Sequence, residues 1–390
     1  MDSKSSFNPM PVFISNYPCY KRGEIALLST PERTGALPDY TGKGVTIAFI
    51  DSGFYKHPDL KGRILLHVDA TTDDIVEGDY IPKSQAFSWH GQMTTVIACG
   101  DGSKSNGRYR GIASAANLVL IKVSTPHNQI KEADILRGLR WVQKHHHRHN
   151  IKIVNLSVGG DFISYDSNHP LHRIVRDLTE DGLTIVAAAG NSGENHLVPP
   201  ASAADAITVG GMDDNNTLDR REWSLYSHNY GMAFDGSLKP DILAPARWVA
   251  SPILPGTRVA MEAFWLGPLL QSDDNHPVRR LIRQGNADQG LAKLFGDHVL
   301  DNLHDTLQQR VYAHKLVDAC HQHVDGTSVA APIVSSVIAQ MLEANPALTP
   351  PQIRQCLRET AQPLPGFDLQ RQGAGVVNAV SAVHAALNLR

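Results

Sequence analysis

The chain is 390 residues long with a mass of 42.5 kDa, room for one large or two ordinary domains with a sizeable core. Its 36 Lys and Arg nearly balance 39 Asp and Glu, leaving −3, and the basic residues form no long run, which argues against an electrostatic nucleic-acid binder. A hydrophobic content of 42% with 31 Gly and 23 Pro excludes a disordered chain, and no apolar stretch reaches the ~18 residues expected of a membrane span.

The N-terminal run Met1–Glu24 lacks the basic start and apolar core of a secretory signal, so the chain is expected to be cytoplasmic. Residues 1–40 carry little periodicity and read as an extended lead-in. Short apolar runs then alternate with amphipathic stretches. Gly44–Ile50 (GVTIAFI), Leu118–Val123, Ile151–Leu156, Leu183–Ala189 and Ala206–Val209 predict strands. His90–Cys99, Lys131–His147, Pro170–Asp181, Ser328–Ala344 and Pro350–Glu359 predict helices. Strands apolar on both faces, separated by helices, indicate a mainly parallel central sheet in an α/β three-layer sandwich. Residues 252–322 break the alternation with a helix-rich insertion, including Val278–Gln284 and His298–His321 and no strong strand. The organisation is an N-terminal extension over 1–40 and one domain over 41–390, interrupted by that insertion. Cys19, Cys99, Cys320 and Cys356 are far apart with no CxxC pair, which suggests neither a zinc site nor a disulfide framework. The 19 His would add much positive charge below pH about 6.

In an open parallel sheet, ligands sit outside the carboxyl ends of the strands. Asp51 follows the first predicted strand, and Asn191 follows another through Gly190. His90 begins one apolar helix and Ser328 another, after Gly326-Thr327. Singly, each has an ordinary reading: a turn or cap residue, a structural histidine, an N-cap. Together their chemistry is complementary. A serine hydroxyl needs a base to take its proton, and histidine titrates in the range to do so. A carboxylate on the other ring nitrogen fixes the tautomer. An asparagine N–H can stabilise a developing oxyanion.

The order Asp–His–Asn–Ser resembles the subtilisin-like serine proteases. Asp51 lies in VTIAFIDSGFYKHPDL and His90 in HGQMTTVIA. NLSVGG (Asn155–Gly160) is similar to the family's substrate-binding strand, VAAAGNSG (Val186–Gly193) to its oxyanion motif, and GTSVAAP (Gly326–Pro332) to its nucleophile motif. Within the family, KSNGRYRGIA, VGGMDDNNT, KPDILAP and GAGVVNA are similar to the intracellular bacterial serine proteases of the bacilli. The resemblance implies a serine endopeptidase with Asp51, His90 and Ser328 catalytic and Asn191 in the oxyanion hole. Ser157, Val158, Gly159 and Gly160 would bind substrate, with an apolar or aromatic preference before the scissile bond. No acidic residue is obviously placed in that slot. Expected partners are protein or peptide substrates, not nucleic acid or membrane.

Three features depart from the family pattern. Gln92-Met93 stand where the histidine motif usually reads Thr-His. Only 50 residues precede Asp51, too few for a folded pro-domain, so residues 1–40 are a candidate inhibitory segment with Pro11–Tyr20 near the cleft. Pro245 to Gly326 spans 81 positions, about twice the expectation from the resemblance, so the insertion is a candidate surface for a regulatory partner or self-association. The first two motivate a rival reading, a catalytically inactive peptide-binding pseudo-protease. No cofactor is required for the chemistry. Relatives often bind calcium, and Asp59 matches a ligand position. The companion loop Asp101–Arg110 carries Lys104, Arg108 and Arg110 with one carboxylate, which disfavours the ion. The run His145-His146-His147-Arg148-His149 reads as a solvated helix end rather than a metal site.

Overall fold

The structure is a computed structural model that describes residues 27–78, 87–270 and 309–389. Pro11–Tyr20, Val278–Gln284 and residues 298–308 of the stretch His298–His321 lie outside those residues. The centre is a nine-stranded sheet built from β1 (Thr46–Asp51), β2 (Ile64–Asp69), β3 (Val76–Gly78), β4 (Asn117–Lys122), β5 (Ile151–Leu156), β6 (Thr184–Ala188), β7 (Ile207–Asp213), β8 (Ser224–Leu225) and β11 (Ile242–Pro245). The strands run in the order β11-β7-β6-β5-β1-β4-β2-β3, with β8 on β7. All pairs are parallel except β2–β3 and β7–β8. The short strands β9 (Gly231–Met232) and β10 (Leu238–Lys239) form a separate antiparallel pair.

Alternation along β1 builds the layers. Ile47 and Phe49 join a core under α2 (Ser88–Cys99), α6 (Thr327–Ala344) and α9 (Ala379–Asn388). Ala48 and Ile50 face the opposite core under α3 (Glu132–His149) and α4 (Pro170–Glu180). A strand buried on both faces must be apolar throughout, which is why these runs do not alternate with polar residues. The fold is therefore the expected three-layer α/β sandwich. Helix α6 is long and apolar enough to cross a membrane by length and composition, although the sequence reading found no such stretch. It is largely buried between the sheet and α2, α7 (Pro350–Thr360) and α9, which accounts for its apolar composition.

Two regions depart from the sequence expectation. Residues 30–34 form helix α1 rather than extended chain, closed by a Ser29/Glu32 capping box and by Gly35 at φ +65°. Arg33 anchors it: the guanidinium is buried, 3.4 Å from Asp214, and donates to the Arg247 and Trp248 carbonyls. The insertion, expected to hold no strong strand, is rooted in an antiparallel pair, β12 (Val249–Pro252) with β13 (His321–Val324). Beyond the roots, α5 (Arg258–Leu270) contributes Ala263 and Leu266 to a small separate core with Leu27, Trp248, Val311 and Leu316. A further short helix, α8 (Leu369–Gln372), precedes α9.

Three histidines set an acid limit on the fold. His57, His67 and His323 are at most 5% exposed, and burial pushes each down to about 4 against the opposing pull of Asp59, Asp69 and Asp325 respectively. Between about pH 6.5 and 4 the unfolded chain binds protons that the folded chain refuses, so stability is complete above pH 6.5 and falls with decreasing pH. By pH 5 the loss is on the order of 2 kcal/mol per histidine. Urea unfolding at pH 7.5, 6 and 5 is expected to show a steeply falling midpoint at constant slope. A midpoint flat across that range would contradict neutral burial of these rings.

Candidate active site

β1 lies between β4 and β5, where the order of strand addition reverses, and its carboxyl end opens a crevice. Asp51 is the last residue of β1 and is fully buried. Its Oδ1 accepts from the Ser52 amide at 2.7 Å and stands 2.7 Å from His90 Nδ1. Its Oδ2 accepts from Thr94 Oγ1 at 3.0 Å, one turn along α2 from His90. Both carboxylate oxygens are thus held, and His90 must present Nδ1–H to Asp51, leaving Nε2 for proton exchange. Helix α2 starts at Ser88, so His90 sits in its first turn rather than at its first position. The turn is seated by Gly91, where a Cβ would collide with the Gly53 carbonyl and press on the Phe54 ring.

Electrostatics set the imidazole's basicity. Burial pushes His90 down, but the Asp51 charge and hydrogen bond push up more, and the net shift is upward from the ordinary value. The His90 side chain is 27% exposed, so it is open to the crevice on one side. Trp89 packs edge-on against it at 5.8 Å between ring centroids.

Helices α2 and α6 pack against each other, and their N-terminal ends bear His90 and Ser328. Among the described residues the Ser328 hydroxyl makes no hydrogen bond, to His90 included. Such bonds often tighten only when substrate binds. Gly326, at φ +134°, caps α6, and a Cβ there would lie 3.3 Å from Asn191 Nδ2. Asn191 Oδ1 accepts from the Thr327 amide at 2.8 Å and from Thr327 Oγ1 at 3.0 Å, while the Gly190 amide donates to Thr327 Oγ1 at 3.1 Å. This clamp fixes the amide: Oδ1 is occupied and Nδ2 is a free donor. In the first turn of α6, Thr327 N–H goes to Asn191 and Val329 N–H to the Gly326 carbonyl. The Ser328 N–H between them has no acceptor among the described residues.

Ser157–Gly160 leave the carboxyl end of β5 as irregular chain rather than strand. Ser157, Val158 and Gly159 make no backbone–backbone hydrogen bond among the described residues, so their edge is unpaired; the Gly160 amide is taken by the Pro199 carbonyl at 2.6 Å. A buried relay that the sequence reading missed ties this segment to α6. Ser335 Oγ donates to Asn155 Oδ1 at 2.9 Å, Asn155 Nδ2 to Ser157 Oγ at 3.1 Å, and Ser157 Oγ to the Ser328 carbonyl at 3.2 Å. The signal for it was Asn155, a polar residue at an inward position of a strand whose other polar residue, Lys152, is exposed.

The departures from the family pattern have structural places. Met93 fills the core at 2% exposure, and Gln92 is buried with its Nε2 3.4 Å from the Pro252 carbonyl, linking the His90 helix to the root of the insertion. Asp59, the residue at the family's calcium-ligand position, lies beside the Asp101–Arg110 loop. Asp59 Oδ1 already accepts from Ser103 Oγ and the Lys104 amide, its Oδ2 is buried without a partner, and no group of three or more His, Cys, Asp or Glu converges anywhere among the described residues. His145 and His149 stack on Trp141 at 4.7 and 5.8 Å between centroids.

A doubly covered parallel sheet with Asp51, His90, Asn191 and Ser328 at its open end is the architecture of a subtilisin-like serine hydrolase. Residues 42–376 match the model of the subtilase family, so the chain belongs to that family and is a subtilisin-like serine protease. It is 30% identical over 353 residues to the serine protease AprX of Bacillus subtilis (strain 168), covering 88% of this chain and 67% of that protein. It is 26% identical over 343 residues to the M-protease of Shouchella clausii (strain KSM-K16) and to subtilisin BL of Lederbergia lenta. Those matches cover 88% of this chain, and 65% and 91% of the relatives. Among solved structures, fervidolysin from Fervidobacterium pennivorans superposes with a TM-score of 0.61 at 22% identity, over 95% of this chain and 47% of that one. The protease domain of PatA, solved as a point mutant, superposes with a TM-score of 0.59 at 20% identity, over 90% and 98%. At these identities the two structures bear on the fold.

Proposed function

We propose that this protein is an endopeptidase in which Asp51, His90 and Ser328 form the triad and Asn191 with the Ser328 amide forms the oxyanion hole. Ser328 Oγ attacks the peptide carbonyl carbon while its proton passes to His90 Nε2. The carbonyl oxygen becomes an oxyanion that accepts from Asn191 Nδ2 and Ser328 N–H. His90 then gives the proton to the leaving amine as the C–N bond breaks. Water repeats the sequence on the acyl-enzyme, with His90 first as base and then as acid. Asp51 keeps its charge throughout and holds Nδ1–H. No cofactor enters any step.

The observation that carries this reading is the Asn191 clamp: Oδ1 is taken twice by Thr327, while Nδ2 and the neighbouring Ser328 N–H are given to nothing among the described residues. A turn-forming asparagine has no need of that arrangement. Small residues at Ala187–Gly190 favour an open apolar slot for the side chain before the scissile bond. The unpaired edge of Ser157–Gly159 suits an extended peptide held by backbone hydrogen bonds. Substrates are therefore proteins or peptides, with no nucleic acid or membrane required.

A fluorophosphonate probe tests the assignment. Native protein is expected to be labelled on Ser328, as located by peptide mapping, and Ser328→Ala to remain unlabelled. Folded protein that takes up no label would favour an inactive peptide-binding role instead.

A further inference from the structure

The substrate segment ends against a carboxylate that the sequence did not reveal. Glu132, the first residue of α3, brings Oε2 to 2.5 Å from where a Cβ on Gly160 would stand, so only hydrogen occupies the space between them. Its other oxygen, Oε1, is 3.2 Å from His169 Nε2, the ion-pair partner of Glu132 among the described residues. His169 Nδ1 accepts the Leu171 amide at 3.3 Å as the N-cap of α4. With Nδ1 accepting that amide, Nε2 is the ring nitrogen that faces Glu132 as donor. The ring orients the Glu132 carboxylate. The Glu132 side chain is 25% exposed, and its Oε2 stands toward Gly160.

Geometry sets which substrate residue meets it. Ser157 touches the Ser328 carbonyl, so pairing along the edge begins beside the nucleophile. Gly160 is three residues farther along this irregular segment, at most about 10 Å by the ~3.3 Å per residue of extended chain. A substrate laid along 157–160 thus brings a side chain about three positions beyond the one next to the scissile bond to Glu132. We propose that Glu132 is a specificity-determining residue that selects a Lys or Arg in the substrate three to four positions N-terminal to the cleaved bond. This rests on Ser157–Gly160 being the substrate edge, as in the proposed function. It adds an acidic subsite to a cleft whose first slot is apolar.

The preference follows from a partly exposed ion pair, which corresponds to about a two- to fivefold effect and is screened by salt. A peptide series identical except for Lys, Ala or Glu at each of the five positions before the scissile bond would test it. The kcat/KM ratio of Lys over Ala is expected to reach about two- to fivefold at one distal position, to approach unity in 0.5 M NaCl, to vanish in Glu132→Gln and to invert in Glu132→Lys, which then favours the Glu peptide. Fluorescence anisotropy of the same peptides on Ser328→Ala protein reads the same ratios as affinities, so the inference is decided even if wild type cleaves nothing. Absence of cleavage together with an intact Lys preference in binding would overturn the catalytic reading and keep this one. Equal handling of Lys and Ala at every position by wild-type protein, or a Lys preference that survives Glu132→Gln, would overturn the role of Glu132.

Discussion

Ser328→Ala is expected to lower kcat by about a million-fold, the scale seen when the nucleophile of a subtilisin triad is removed. The loss is this large because serine, histidine and aspartate act as a unit, and taking away the attacking atom leaves only binding and the oxyanion hole. Residual turnover should remain about a thousand-fold or more above the uncatalysed reaction. The variant is a clean probe because the Ser328 hydroxyl makes no hydrogen bond among the described residues. Its carbonyl, which receives Ser157 Oγ, is unaffected by the change. Thermal unfolding should therefore match wild type within the error of a surface substitution, about 0.5 kcal/mol. Turnover of a chromogenic peptide that persists at a tenth of the native rate would remove Ser328 from the nucleophile role.

Asp51→Asn comes next, with an expected loss of about ten-thousand-fold in kcat and a displaced pH profile. The native acidic limb reports the free-enzyme His90, which must be neutral to accept the serine proton. Because Asp51 outweighs burial and shifts His90 upward, that limb should lie above the ordinary imidazole value of about 6.5. In Asp51→Asn the upward pull goes and burial remains, so the limb should fall below about 6.5. The fold can accept the amide. Thr94 Oγ1, which donates to Asp51 Oδ2, also lies 3.1 Å from the Gly91 carbonyl and can turn its proton there while accepting from the new N–H. Activity and stability should therefore separate. A kcat/KM profile whose acidic limb stays in place, or rises, would show that Asp51 does not govern His90.

The sandwich was legible because its strands are continuous apolar runs that differ from their neighbours in period and composition. Ile151–Leu156 was read at its observed limits, and β1, β4 and β6 were displaced by one or two residues at their ends. The misses have a common cause. Helix α1 is a single turn whose signal is one capping box, Ser29 with Glu32, and no apolar stripe. The strands β12 and β13 hold each other across the insertion, and His321-Gln322-His323 carry no strand pattern of their own. Local pattern cannot announce a strand whose stability comes from a partner far along the chain.

The same division runs through the site. Chain order and local motif were enough to nominate Asp51, His90, Asn191 and Ser328, because each stands at the end of an apolar element and such ends converge at the open edge of a parallel sheet. Side-chain direction was another matter. Thr94 holds Asp51 across 43 residues, Thr327 orients Asn191 across 136, and Ser335 reaches Asn155 across 180. Glu132 meets Gly160 through the first turn of a helix that precedes β5 in the chain. Sequence by itself determined the layers of this protein and the chemical groups at its crevice, since both are written in local periodicity and residue type. Only the tertiary structure decided which donor is free and which carboxylate stands beside Gly160. A hydrogen bond or charge contact depends on ångström distances between segments that have no periodic relation in sequence.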